Sequence, residues 1–153
     1  MLLHDAGLSF FHYTVAFILV GALSAEAFIL RLPVDGRVAK VLGRADAFYG
    51  ASAALLIVAG FSRAVWGAKG WDYYAGQPFF WAKLAVFVAI GLLSISPTLR
   101  FLRWNKAAKG DPAFIAPDDE VKRTRTLVMI ELHLLAVLLI CAALMARGMG
   151  APL

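Results

Sequence analysis

Cysteine occurs once, at Cys141, in a chain of 153 residues. A single cysteine excludes a disulfide framework and a cysteine-rich zinc module. Charge is scarce too: 16% of residues are charged, against about 25% in an ordinary soluble domain. So little charge beside so much apolar sequence excludes a disordered chain. The sequence has no phosphate-binding loop, no dinucleotide glycine fingerprint and no His-Glu-x-x-His run. Ser9, Ser24, Ser52, Ser94 and Ser96 fall in apolar stretches without a nucleophile elbow. The length leaves room for one domain.

Apolar residues are what the chain has in quantity, 61% of the total. They gather in four long runs, at about 8–30, 47–66, 79–99 and 127–145. Each is close to the roughly 20 residues that carry a helix across a hydrocarbon core of about 30 Å. None alternates, and each is about twice the length of a barrel strand. The expectation is an all-α, up-down-up-down transmembrane bundle forming one integral membrane domain over 1–153. Its helices are expected at about 8–30, 47–66, 79–99 and 118–146. The last starts early because Asp118, Asp119 and Glu120 make an acidic first turn. Pro78 suits the first turn of the third helix, and Pro97 is a candidate kink. Gly21 with Ala25, and Gly50 with Ala54, form small-residue packing faces. Before the first run stand only His4, a solvated terminal residue, and Asp5; without a basic n-region the run reads as a retained helix, not a signal peptide.

The loops set an expected orientation. Arg31, Arg37, Lys40 and Arg44 lie between the first two runs, and seven more basic residues lie from Arg100 to Arg125. Eleven basic residues thus share one side, against Arg63, Lys69 and Arg147 on the other. Basic loops stay in the cytoplasm, so both termini are expected outside, in a bacterial inner (plasma) membrane. This asymmetry accounts for the net charge of +5 with no nucleic acid as partner. The partner implied is the lipid bilayer.

Ionisable groups at membrane depth are costly, so each is a functional candidate. Five qualify: His12, Glu26, Lys83, Glu131 and His133. His12 and Lys83 lie about four residues into the first and third helices from the same side, roughly 6 Å deep. An imidazole and a second Lewis base in one layer make a candidate haem site, with a neutral Lys83 amine able to ligate. Arg63 and Lys69 stand at the mouth to pair with propionates. His12 with His133 is the alternative ligand pair, separated in depth by about 15 Å of a core of about 30 Å. Plainer readings compete. His12 could bond a backbone carbonyl, and Lys83 could snorkel to the interface. Arg63 and Lys69 could be interfacial anchors beside the aromatic belt of Trp66, Trp71, Tyr73, Tyr74 and Trp81. Glu26 is expected to pair with Arg31 or a loop cation, Glu131 with Arg125, and Cys141 to pack as a small residue.

The early histidine, the Gly70-Trp71 turn and the run Phe80-Trp81-Ala82-Lys83-Leu84 resemble the HemJ-type protoporphyrinogen oxidases. Those are small four-helix membrane proteins of bacterial haem synthesis. The chain as a whole is similar to small bacterial four-helix membrane proteins distantly related to that oxidase. In the oxidase family an early first-helix histidine and an early third-helix lysine are functional, and His12 and Lys83 match them. The family's Asn-Glu-x-Pro motif is represented by Glu131 alone, in Ile130-Glu131-Leu132-His133. The resemblance implies bound haem b, metal ligation by His12 and Lys83, and catalytic roles for Lys83 and Glu131. It implies an oxidoreductase that removes hydrogens from a porphyrinogen and passes electrons to quinone, with Glu131 and Glu26 carrying protons. The alternative is a non-catalytic subunit or stabiliser of a larger membrane complex, or a homo-oligomer, joined through the small-residue faces. A transporter is disfavoured, because one copy has little room for a pore and no inverted repeat is visible.

Overall fold

The computed structural model describes residues 2–67 and 69–149, and only the backbone of Leu2 and His4. The solvated setting expected for His4 therefore lies outside the described residues. The chain forms α1 (Leu2–Ile29), α2 (Gly36–Trp66), a short α3 (Gly70–Ala75), α4 (Pro78–Gly110) and α5 (Asp118–Ala146). α1, α2, α4 and α5 are each long and apolar enough to cross a bilayer. The expected all-α bundle is what forms. Its four long helices make a ring, α1 on α2, α2 on α4, α4 on α5 and α5 back on α1. Large apolar side chains such as Phe10, Phe17, Val58, Leu92 and Ile140 point outward, while Glu26, Ser52, Thr124 and Glu131 are buried. Apolar groups outside and polar groups inside suit a lipid solvent.

Helix ends differ from the sequence reading in a consistent way. α2 starts at Gly36, eleven residues before the apolar run. Asp35 makes that start possible: its side chain accepts a hydrogen bond from the Val38 N–H at 2.8 Å and caps the helix. α4 continues through Pro97 to Gly110, well past residue 99. α1 likewise begins before residue 8. What reads as a long basic loop is therefore mostly helix. α2 and α4 reach about 46 and 50 Å at 1.5 Å per residue, well beyond a core of about 30 Å.

At this basic end the bundle's hydrophobic core continues beyond the apolar runs. Leu42, Phe101 and Val128 are fully enclosed, with Trp104 among them. The connecting segments close over it. The Ala116 N–H donates to the Val34 carbonyl at 2.9 Å, beside a bridge between Asp35 and Ile115. Trp104 Nε1 and Arg103 both donate to Glu120 Oε2, at 3.0 and 2.8 Å.

The small-residue faces are not where this bundle packs closest. Gly21 and Gly50 have nothing within 4 Å of a notional Cβ. The tight contact is at Gly43, where a Cβ would collide with the Asn105 amide nitrogen. That nitrogen is committed to two carbonyls, Ala39 and Phe101, each at 3.0 Å. Gly43→Ala is expected to displace it and destabilise the fold by about 1–3 kcal/mol. Thermal unfolding in detergent checks this, and Asn105→Ala in the same background should relieve part of the cost.

Candidate functional site

The end opposite the basic core is closed by α3. Gly70 opens that helix at φ 72°, a left-handed conformation that only glycine adopts freely. The turn brings Tyr74 down onto Phe80 and Ala64 in a small buried cluster. Trp81 Nε1 donates to the Ala75 carbonyl at 2.9 Å and ties α4 to α3. Tyr74 is thus a packing residue, not part of an interfacial belt, whereas Trp66, Trp71 and Trp81 are exposed.

Beneath α3 lie two abutting cavities, of about 90 and 240 Å³. His12, Leu56, Gly60, Phe80, Lys83 and Leu138 line both. Arg63, Lys69 and Tyr73 join the larger. The two volumes approach the lower end of the roughly 300–1,000 Å³ typical of small-molecule sites. Most of the wall is apolar. Among the described residues its polar groups are an imidazole, three cations and the tyrosines Tyr13, Tyr73 and Tyr74, and its lining contains no Asp or Glu.

Three of these groups come from three different helices, and Lys69 from the turn before α3. His12 comes from α1, where Gly60 of α2 makes space for the ring: a Cβ there would sit 3.6 Å from His12 Cε1. The His12 Nδ1 is buried and has no hydrogen-bond partner among the described residues. Lys83 comes from α4, its Nζ 5.2 Å above the Phe80 ring. Arg63 of α2 stacks over Tyr13 at 5.5 Å. Lys69 donates to Tyr73 Oη at 3.1 Å and covers that ring. His12, Lys83 and Arg63 lie within electrostatic reach of one another. Among the described residues none of the three cations is in an ion pair.

A family model described as "Predicted membrane protein (DUF2214)" matches residues 4–150. The chain belongs to that family. The match spans all four long helices and therefore every polar group discussed here. No curated protein and no solved structure matches the chain.

In this DUF2214 chain the polar residues at membrane depth divide into two groups. His12, Lys83, Arg63 and Lys69 share the α3 end, as their depths suggest. His133 does not join them. It is exposed on α5, with Nδ1 2.6 Å from the Met129 carbonyl of its own helix. Glu26 and Glu131 form part of a separate acidic group nearer the basic end. The pairing expected of them with Arg31 and Arg125 does not occur. Arg31 instead stacks over Phe28, and Glu131 Oε2 accepts from Tyr49 Oη at 3.1 Å. Three members of that group are absent from the sequence reading: Asp46, Tyr49 and Thr98. Asp46 fell in an expected loop, and the missing signal was the Asp35 cap that starts α2 early. Among the described residues there is no group of three or more His, Cys, Asp or Glu able to hold a metal ion.

Proposed function

We propose that the α3-end cavity binds a planar, largely apolar ligand with carboxylate groups, haem b or a related porphyrin, and that the protein has a redox role. The observation that carries this is the cavity's composition: apolar walls at membrane depth, one imidazole, three cations and no acid. Unpaired cations in such a place call for an anionic partner. The partnerless His12 Nδ1 shows that the protein leaves a buried imidazole nitrogen unsatisfied. A macrocycle brings its own metal, so the chain would need to supply few ligands to it. His12 would hold the metal. Lys83 would be a second ligand, or would grip a carboxylate together with Arg63 and Lys69.

Haem, when bound, supplies one-electron chemistry, and the bundle supplies orientation and dryness. The likeness to the HemJ-type oxidases adds a reaction class: hydrogen removal from a porphyrinogen, with quinone as electron acceptor. It also favours the bacterial inner membrane, and the asymmetry of basic residues favours the basic end in the cytoplasm. The test is a visible spectrum of the protein purified from haem-supplied cells, oxidised and reduced, followed by titration with haem. A Soret band with saturable binding supports the reading, and its absence in both experiments overturns it. Gly60→Leu should fill the space beside His12 and weaken haem binding about tenfold, the equivalent of about 1.4 kcal/mol. A titration series on the folded variant measures it.

A second reading has its own observation. Gly21 and Gly50 face outward with open space around them, and Ala54 is exposed one turn from Gly50. Such faces suit close approach by neighbouring helices, either of a larger membrane complex or of further copies. Cross-linking between cysteines placed at residues 21 and 50 in a Cys141→Ala background tests it.

A further inference from the structure

Three carboxyl groups from three helices lie within electrostatic reach of one another, nearer the basic end. Glu26 of α1 and Glu131 of α5 are each 1% exposed. Asp46 of α2 is half-buried, and its Oδ1 accepts from Thr98 Oγ1 of α4 at 2.7 Å. Glu26 is within electrostatic reach of both Asp46 and Glu131, and Tyr49 is within reach of all three. One oxygen on each glutamate, Oε1, is buried with no hydrogen-bond partner. Among the described residues none of the three carboxyls is in an ion pair. The groups facing the cluster are thus acids and hydroxyls: Glu26 from α1, Asp46 and Tyr49 from α2, Thr98 from α4 and Glu131 from α5.

Three neighbouring carboxylates cannot all stay ionised in such a place without a positive charge between them. A cavity adjoins the cluster's hydroxyls. This inner cavity, of about 80 Å³ and reaching the exposed Gly50 and Gly91, is lined by Tyr49 and Thr98 and carries a third hydroxyl, Ser94. A cavity needs only about 10–15 Å³ of such volume to hold one water, given polar partners. Phe87 lines it too, and also lines the smaller α3-end cavity. One aromatic ring is therefore common to the walls of both cavities.

We infer that Glu26, Asp46 and Glu131 form a proton-binding site that exchanges protons with the α3-end cavity through the inner cavity, past Phe87. The bound species is a proton on a carboxyl oxygen of one of the three acids, and the Tyr49 and Thr98 hydroxyls donate to the carboxylates that remain ionised. Loading adds one proton to a carboxylate, and unloading returns it to water in the inner cavity. No electron moves. The inference does not depend on what occupies the α3-end cavity.

Infrared spectroscopy of the full chain in lipid vesicles near neutral pH tests it. A protonated carboxyl gives a C=O band distinct from carboxylate bands, and that band shifts in D2O. The wild-type protein should show the band, and at least one of Glu26→Gln, Asp46→Asn and Glu131→Gln should delete or diminish it. Phe87→Ala should speed the D2O shift by about tenfold, the factor matching the cost of forcing a ring off its rotamer. Absence of the band in wild type overturns the site, and needs no variant to fold. A band that all three variants leave unchanged overturns it as well. Loss of the band on replacing choline by sodium would make this a metal-cation site and overturn the proton assignment. An exchange rate that Phe87→Ala leaves unchanged overturns the route.

Discussion

His12→Ala should abolish the Soret band of protein purified from haem-supplied cells, while Lys83→Met should retain a band with altered position and weakened haem binding. The asymmetry follows from what each group can do without the other. The imidazole is an iron ligand in its ordinary neutral form, and its ring lies in the space that Gly60 leaves open. Among the histidines whose side chains are described, no other reaches the cavity, since His133 is exposed on α5 and bonded to its own backbone. Lys83 has substitutes for its charge in Arg63 and Lys69 on the same cavity. Removing it costs one charge-assisted contact, about 1.5–3 kcal/mol, or roughly ten- to a hundredfold in affinity. Lys83→Met keeps the apolar stem, so the cavity wall stays intact. His133→Ala is the control and should leave the spectrum unchanged. Equal loss in His12→Ala and His133→Ala would point to a folding defect and not to ligation. A band that survives His12→Ala would remove the assigned ligand.

Depth along each helix was enough to bring His12 and Lys83 into one layer, because rise per residue is a local property of the chain. The four spans were legible for the same reason: apolar run length is set by bilayer thickness. The acidic group was only half legible. Glu26 and Glu131 stood out as charges inside apolar runs, yet their partners did not. Charge arithmetic favours a nearby arginine, and Arg31 is five residues from Glu26. On a helix end, however, the two point to different surroundings: Arg31 is exposed against Phe28, while Glu26 faces the ring's interior. Asp46 was missed because hydropathy marks where lipid ends, not where a helix ends. α2 and α4 continue as helices beyond the apolar stretch, and the capping residue Asp35 carried that information instead of the hydrophobic pattern.

The same extension gives the bundle two solvents. In the apolar span, side chains leave lipid for a protein interior about as apolar, so packing alone holds the helices together. At the basic end, α2, α4 and α5 carry Arg37, Lys40, Arg103, Lys106, Lys109 and Lys122, all exposed, around Phe101 and Trp104. There the hydrophobic effect operates as in a soluble domain. Phe101→Ala is therefore expected to cost about 3–5 kcal/mol, the range for emptying a buried aromatic site. Phe101 is fully enclosed and packs against Trp104 at 5.8 Å between ring centroids. Its loss also loosens the helix whose carbonyl, at Phe101, holds the Asn105 amide against α2. Ile90→Ala, a comparably buried site within the span, forfeits packing without that transfer term and should cost less. Unfolding the two variants in the same detergent separates the contributions. If Phe101→Ala unfolds locally, proteolysis should cut the 111–117 connection before the spans are lost, because that segment is held by the Val34–Ala116 bond and the core beneath it. Equal costs for the two substitutions would mean that the basic end shares the solvent of the span and lies in lipid.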